Sequence, residues 1–412
     1  MTSLVIIEKK VFETFCNTVS YKSFMQSVEM ADLLKKRGYQ VTYLGLKDEE
    51  ALQVAAVLFS LPMTGGLHME INSGPVSRDK HYLKQFYQGL QSYAKENGAL
   101  ELLVKPYNTY QHFDSTGQPT DQENTTLLDD FLSLGYQHDG LLTGYPGGEP
   151  DWHYVKDLTD LDEKTLLKSF SKKGRPLVKK AKTFGITLRK LNRDELPLFK
   201  EITSATSDRR DYDDKSLDYY QDFYDSFGDS CEFMVASLNF QDYLAHLETD
   251  KAKLDQQIEK LRTAIENNNV SEKKQNQLRE LSSQSATFDT RMAEAKEFIG
   301  KYGSQNVVLA GSLFVYTKQE AVYLFSGSYP EFNKFYAPAL LQEYVMLEAI
   351  KRGITTYNLL GITGEFDGSD GVLRFKQNYN GYITRKMGTF RYYPHPLKYK
   401  LIHNLKKILR RH

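Results

Sequence analysis

The sequence predicts a mixed α/β (α+β) chain of two tandem units, with a long helical hairpin set into the second. Three observations carry that expectation. Strand-like and helix-like patterns alternate twice along the chain in a similar order. Both halves contain adjacent strand signals joined by short polar turns, which suits α+β or mixed α/β better than a doubly wound parallel sheet. Residues 253–281, KLDQQIEKLRTAIENNNVSEKKQNQLREL, space their leucines by threes and fours between two segments, CEFMVASLNF and NVVLAGSLFVYT, that read as strands.

With 412 residues, 40% of them hydrophobic and 13% aromatic, the chain is too long for one ordinary domain. The first unit is expected over 1–150. There QVTYLGLK and LQVAAVLFSLP read as strands, HYLKQFYQGLQSYAKENG as a helix stopped by Gly, ALELLVKPY as a buried strand closed by Pro, and TTLLDDFLSLGY as a second helix. The second unit is expected over 151–241 and 303–393. It offers helices near 194–207 and 215–227, strands near 232–240, 307–316 and 320–327, and helices near 337–352 and 371–379 around the segments YNLLGI and GYITRKMGTF.

The hairpin is expected over 242–302. Leu247, Lys251, Leu254, Ile258, Leu261 and Ile265 form one heptad seam; Leu281, Ser285, Phe288, Met292, Ala295 and Ile299 form a second, beyond an Asn-rich turn at 267–272. The C-terminal stretch 394–412 reads as a basic amphipathic helix with Leu397, Leu401, Ile402, Leu405, Ile408 and Leu409 on one face, suited to an anionic bilayer, to RNA or to packing on its own domain.

Charges balance at 53 against 53, which argues against a global polyanion binder but not against local patches. One patch stands out: Lys164 to Arg193 holds eleven Lys/Arg and no Asp or Glu, with Lys172, Lys173, Arg175, Lys179, Lys180 and Lys182 at its centre. It is expected to meet a phosphate-bearing partner. The acidic stretch 208–232 reads as helix and not as a hard-cation loop, and the nine histidines form no HxH or HxxxH pair, so no metal is expected. GxGxxG, GxxxxGK[ST] and GxSxG are absent, which leaves no dinucleotide, P-loop or nucleophile-elbow reading. Cys16 and Cys231 form no CxxC, the N-terminal MTSLVIIEKKVFETF is neither a signal peptide nor a span, and no apolar run approaches spanning length. A soluble cytoplasmic protein is expected.

The run YLFSGSYPEFNKFYAPALLQEYVMLEAIKRGITTYNLLGI, followed by GSDGVLRFKQNYNGYITRKMGTF, resembles the Fem family of aminoacyl-tRNA-dependent peptidoglycan transferases. INSGPV at 71–76, LLVKPYNTY at 102–110, SFSKKGRPLVKKA and the hairpin extend the resemblance over the whole chain. FMQSVEMADLL, TGYPGGEPDW and KSFSKKGRPLVKKAKTFGI point to its streptococcal MurM–MurN branch, the MurN type in particular. The resemblance implies two GNAT-like domains with an antiparallel coiled-coil arm. It also implies transfer of an amino acid, L-alanine for the MurN type, from aminoacyl-tRNA to a lipid II stem-peptide branch at the inner membrane face. The MurN type adds the second residue after a MurM-like partner enzyme.

Residue by residue, Lys376 in RFKQ matches the lysine placed beside the reacting ester, with Phe375 next to it. Lys215 falls where a relative grips a diphosphate, with Tyr219 on the same helix and Arg209 and Arg210 as substitutes. Lys35 and Lys36 sit near a substrate-binding lysine of a relative. Lys105 and Tyr107 belong to the VKPY segment, where Lys105 replaces an aspartate suspected as general base. Tyr329 and Tyr336 flank PEFNKF as cleft candidates. No cofactor is expected, because YAPALLQ lacks the Gly-rich pyrophosphate loop of CoA-dependent acetyltransferases. The alternatives are a non-catalytic RNA- or membrane-binding protein on a GNAT scaffold, a MurM-like first-residue transferase, and a CoA-dependent acetyltransferase.

Overall fold

The computed structural model describes residues 2–210, 212–267 and 271–409. Of the expected Asn-rich turn, Asn268, Asn269 and Val270 lie outside the described residues, as do residues 410–412 and the side chains of Ile408 and Leu409. The expected fold class is the one observed, mixed α/β with two sheets. Among the described residues each sheet has eight strands.

The first sheet runs, edge to edge, Thr2–Ile6, Gln40–Asp48, Ala51–Met63, Gly66–Asn72, Ala99–Lys105, Phe390–Tyr392 and Gln137–His138, with the short Val76–Ser77 on Ala51–Met63. Gly66–Asn72 and Ala99–Lys105 are parallel, so a crossover must join them, and the helix Leu83–Glu96 does so with Leu83, Phe86, Tyr87, Leu90 and Ala94 buried on its sheet-facing side. The second sheet runs Thr187–Lys190, Cys231–Asn239, Asn306–Tyr316, Ala321–Ser328, Thr356–Ile362, Trp152–Asp157, Tyr382–Lys386 and Thr109–Phe113. Its one parallel pair, Ala321–Ser328 with Thr356–Ile362, is bridged by the helix Ala337–Lys351.

The strand order at the sheets' margins departs from the expected partition at 150 and 393. Thr109–Phe113 leaves the first unit to pair with Tyr382–Lys386, and Phe390–Tyr392 leaves the second to pair with Ala99–Lys105. The two sheets thus exchange a strand each. Several strands also escape the sequence reading: Thr2–Ile6, Gly66–Asn72, Thr109–Phe113, Trp152–Asp157 and Thr187–Lys190. They are short, polar at alternate positions or bounded by Gly, and pairing with neighbours overrides their weak propensity. The expected helix 371–379 is α-helical over Gly371–Lys376 and tightens into a 3-10 turn over Gln377–Tyr379.

The hairpin consists of Phe240–Glu266 and Glu272–Tyr302, inserted where Asn239 pairs with Asn306 in adjacent antiparallel strands. Its base is a buried aromatic cluster in which Phe240 stacks on Phe298 at 4.6 Å and meets Phe335 at 5.7 Å. Farther out the polar seam positions are answered across the pair: Lys251 reaches Asp255 at 2.7 Å and Asp289 at 3.5 Å, and Ser285 donates to Asp255 at 2.8 Å. Such single polar positions fix the register of two helices at some cost in stability.

Candidate active site and basic face

The two strands of the second parallel pair are in register only at Ala321–Tyr357 and Val322–Asn358; beyond that point they part. Thr356–Ile362 bulges there against Trp152–Asp157, its register shifting between Asn358 and Gly361, and Leu360 takes the left-handed region at φ 56°. A non-Gly residue holds that conformation only when its surroundings fix it. Asn358 does so: its Oδ1 accepts from Leu360 N at 2.9 Å.

Lys376 is aimed at this bulge. Its side chain enters from the helix Gly371–Lys376, is 3% exposed, and donates from Nζ to the Gly361 carbonyl at 2.5 Å. Burial pushes its ammonium down to about 7, against a smaller opposing pull from Asp370. Asp370 caps the same helix, accepting from Val372 N at 2.7 Å and Leu373 N at 3.0 Å, and it accepts from Thr363 N at 3.0 Å. Arg210, at the end of the helix Leu196–Arg210, lies near enough to lower Lys376 further, and Arg209 donates to Ser328 O at 3.1 Å at the end of the diverging strand. Lys376, Arg209 and Arg210 are therefore gathered around the opening.

The segment 145–151 joins this opening to a second charged group. Gly361 packs so tightly against it that a β-carbon there would stand 2.7 Å from Pro150 and 2.8 Å from Tyr145. Glu149, one residue before that proline, accepts from Lys105 Nζ at 2.8 Å and from Asn72 Nδ2 at 2.9 Å. Lys105 also reaches Glu70 at 3.1 Å, and Glu70 meets His68, which bonds Glu101 at 2.8 Å. Lys105 stands in the aspartate's place, and Glu70 and Glu149 converge on it from other strands and loops. Sequence reasoning missed both because neither is near Lys105 in the chain. Asp151, in the same segment, is pushed up to about 6 by burial.

Burial raises the Tyr219 hydroxyl to about 12, within the fields of Arg37 and Glu149. Lys215 holds its ammonium 5.4 Å from the Tyr219 ring centre. Arg37 pairs with Asp222 at 3.3 Å where the helix Val28–Lys36 packs on Leu217–Phe227. Of the expected basic residues at that helix end, Lys35 turns to the Tyr43 ring at 5.5 Å and Lys36 is exposed, so Arg37 is the cation that faces Tyr219.

Tyr107 is buried rather than cleft-lining. It donates to Glu320 at 2.6 Å, accepts from Asn358 Nδ2 at 2.9 Å, stacks on Tyr21 at 4.9 Å and carries Lys386 3.8 Å over its ring. It thus bonds Asn358, the residue that braces the bulge. Tyr329 packs on Phe332 at 6.2 Å, Phe375 meets Tyr379 edge-on at 5.5 Å, and Tyr336, at φ 54°, opens the helix Ala337–Lys351 beneath Lys180, 5.4 Å from its ring. These three are packing and joining residues around the opening.

The centre of the basic run folds as the helix Gly174–Lys182 with Val178 and Ala181 buried. Its start is pinned beside Lys376: Ser171 N donates to Asn378 O at 3.0 Å, and Gly174 abuts the same carbonyl so closely that no β-carbon fits. Lys172, Lys173, Arg175, Lys179, Lys180 and Lys182 are all exposed. Arg175 donates to Phe170 O at 2.8 Å and Lys182 to Glu343 at 2.8 Å. Among the described residues the ammonium groups of Lys172, Lys173 and Lys179 have no ion pair or hydrogen bond, and none of the helices is long and apolar enough to cross a membrane.

The chain is 27% identical over 408 residues to aminoacyltransferase FemA of Staphylococcus epidermidis, covering 97% of this chain and 98% of that one. It is 27% identical over 390 residues to the FemA of a Staphylococcus aureus strain, covering 92% and 93%. The crystal structure of FemX shares the fold, with a TM-score of 0.76 at 22% identity over 97% of this chain and 99% of that one. A model of the FemAB family matches residues 7–407, and the chain belongs to that family.

Proposed function

We propose that the protein is an aminoacyltransferase that moves an amino acid from aminoacyl-tRNA to an amine of a lipid-linked peptidoglycan precursor. The observation that carries this reading is Lys376, buried at the mouth of the parted strands with its Nζ on the Gly361 carbonyl and the basic helix pinned two residues away at Asn378. The acceptor's amine nitrogen attacks the ester carbonyl, the ribose oxygen leaves, the C–N bond replaces the C–O bond, and the proton lost by the amine balances the one gained by the ribose hydroxyl. Lys376, as ammonium, stabilises the tetrahedral oxyanion and the departing oxygen; charge stabilisation of this kind is the main source of rate in most acyl transfers. Because the ester is already activated, holding the amine against it supplies much of the remaining rate.

The basic helix Gly174–Lys182 takes the tRNA backbone by charge. Lys215, Arg37, Arg209 and Arg210 take the acceptor's diphosphate from the opposite side; lysine acts there as a point charge, arginine as a fork. The donor is alanyl-tRNA and the product is the second residue of a branch begun by a MurM-like enzyme. The FMQSVEMADLL, TGYPGGEPDW and KSFSKKGRPLVKKAKTFGI segments support that finer reading.

The test is transfer of labelled alanine from alanyl-tRNA to lipid II that carries, or lacks, a first branch residue. Transfer to the branched acceptor is expected. Label that stays on the tRNA with both acceptors overturns the enzyme reading, and transfer to the bare stem overturns the second-residue assignment.

A further inference from the structure

The C-terminal helix Pro396–Leu409 rests on the first unit by one edge. Ile402 is half-buried, and its side chain fills the space over Gly65 in the turn between Ala51–Met63 and Gly66–Asn72, close enough to exclude a β-carbon there. Tyr399 meets the tilted Tyr393 ring at 4.0 Å and stacks on His403 at 5.8 Å along the same side. The helix is therefore held in place, yet it leaves its most apolar stripe uncovered. Leu397, Leu401 and Leu405, one per turn, are 83%, 63% and 49% exposed. No other helix among the described residues exposes three large hydrophobic side chains in a row.

The charges beside this stripe have one sign. Lys398, Lys400, Lys406 and Lys407 are all exposed, and residues 371–412 contain no Asp or Glu. An occupant has to accept leucines and supply negative charge at once. A second copy would bring lysine to lysine. An RNA answers the charge but offers no apolar layer for three leucines. A bilayer surface with anionic headgroups answers both, with the leucines entering the acyl boundary and the lysines staying at headgroup level.

We infer that the Leu397–Leu401–Leu405 face docks the protein on an anionic lipid surface. This extends the proposed use of a lipid-linked acceptor to a specific surface, but its test needs neither tRNA nor acceptor. The full-length protein is sedimented with phosphatidylglycerol-containing vesicles and with pure phosphatidylcholine vesicles. Binding to the first and at least tenfold weaker binding to the second are expected. The triple variant Leu397→Ser/Leu401→Ser/Leu405→Ser is expected to lose at least tenfold in binding to the anionic vesicles while keeping its circular dichroism and melting profile. The quadruple variant Lys398→Gln/Lys400→Gln/Lys406→Gln/Lys407→Gln is expected to lose the preference for anionic over neutral vesicles.

No binding, or binding that the leucine variant leaves unchanged, overturns the proposal. A dimer that the leucine variant dissociates, or tRNA binding lost in that variant with vesicle binding intact, overturns it in favour of the other occupants. Transfer to a soluble stem-peptide acceptor, measured on the same variant, reports separately on the proposed reaction: it stays unchanged if the helix only docks the enzyme.

Discussion

The molecule builds the same parallel strand pair twice and uses it in opposite ways. In the first unit Gly66–Asn72 and Ala99–Lys105 stay in register from Leu67–Ala99 to Asn72–Lys105, with one irregularity. Their far end is closed by Lys105, locked between Glu70 and Glu149. In the second unit Ala321–Ser328 and Thr356–Ile362 part after two positions, and a lysine again stands at the end. Here Lys376 faces a backbone carbonyl and, among the described residues, has no carboxylate partner in contact. The first lysine is paired and its ammonium is stabilised by Glu149 and Glu70 against the cost of burial; the second is unpaired and burial pushes it down to about 7. A closed pair with a neutralised lysine suits a scaffold. A parted pair with a lysine poised near neutrality suits chemistry.

The largest effect is expected from removing the second lysine. Lys376→Met keeps the side chain's bulk and is expected to lower transfer about 100- to 1000-fold, measured in single turnover, with tRNA binding retained. Its stability effect has a defined sign. Lys376 is about 7 in the fold against 10.5 ordinarily, so between these values the unfolded chain binds the extra proton and stability rises with pH. Lys376→Met removes that dependence. The variant should therefore gain most over the wild type below pH 7, and denaturant melts at several pH values read it. Equal activity in the two proteins would erase the functional half of the comparison.

Next in size is the first lysine. Lys105→Met leaves Glu149 without its ammonium and Glu70 with His68 alone, and because Glu149 is 46% exposed the loss is about 1–2 kcal/mol. Urea melts should show that loss, while transfer per folded molecule stays within a few-fold of wild type. A loss of transfer as deep as that of Lys376→Met would show that both lysines belong to the reaction.

His68 gives a pH-resolved effect in the same network. Hydrogen bonds to Glu101 and then Glu70 raise it to about 9 from 6.5. Its stabilisation is therefore fully present below 6.5 and is lost as pH rises through about 9. With partial solvent access the loss is about 2 kcal/mol. In His68→Gln that fall should be absent, because Gln bonds without titrating, and the rise that Lys376 contributes above pH 7 should stand alone.

Much of this architecture is legible in the sequence, and the boundary of legibility has a physical cause. The central strands Cys231–Asn239, Asn306–Tyr316 and Ala321–Ser328, the crossover helices and the hairpin announce themselves because their patterns are local. Lys376 is legible as a motif residue in RFKQ. What the chain does not display is convergence: Glu70, Glu149 and Lys105 come from three separate segments, and the strand exchange of Thr109–Phe113 and Phe390–Tyr392 depends on which edges are left open once the sheets have formed. Arg37 is hidden for a simpler reason, since a one-residue offset at a helix end changes which cation faces the neighbour.

The two units also communicate, and the smallest predicted effect tests how. Tyr107 comes from the first unit's VKPY segment, yet its hydroxyl accepts from Asn358 Nδ2, and the same amide's oxygen holds Leu360 in its left-handed turn. Tyr107→Phe removes one partner from Asn358 and one from Glu320, which is worth about 1 kcal/mol in stability when neighbours take up part of the bonding. Asn358→Ala removes the brace itself and should cost more, because Leu360 N then loses its acceptor. If the brace positions the Gly361 carbonyl for Lys376, both variants lower the rate of transfer more than they change acceptor binding, and their double mutant falls short of the sum of the two. Additive effects with an unchanged rate would mean that the contact only fastens one unit to the other, and that the opening in the second pair is set by its own strands.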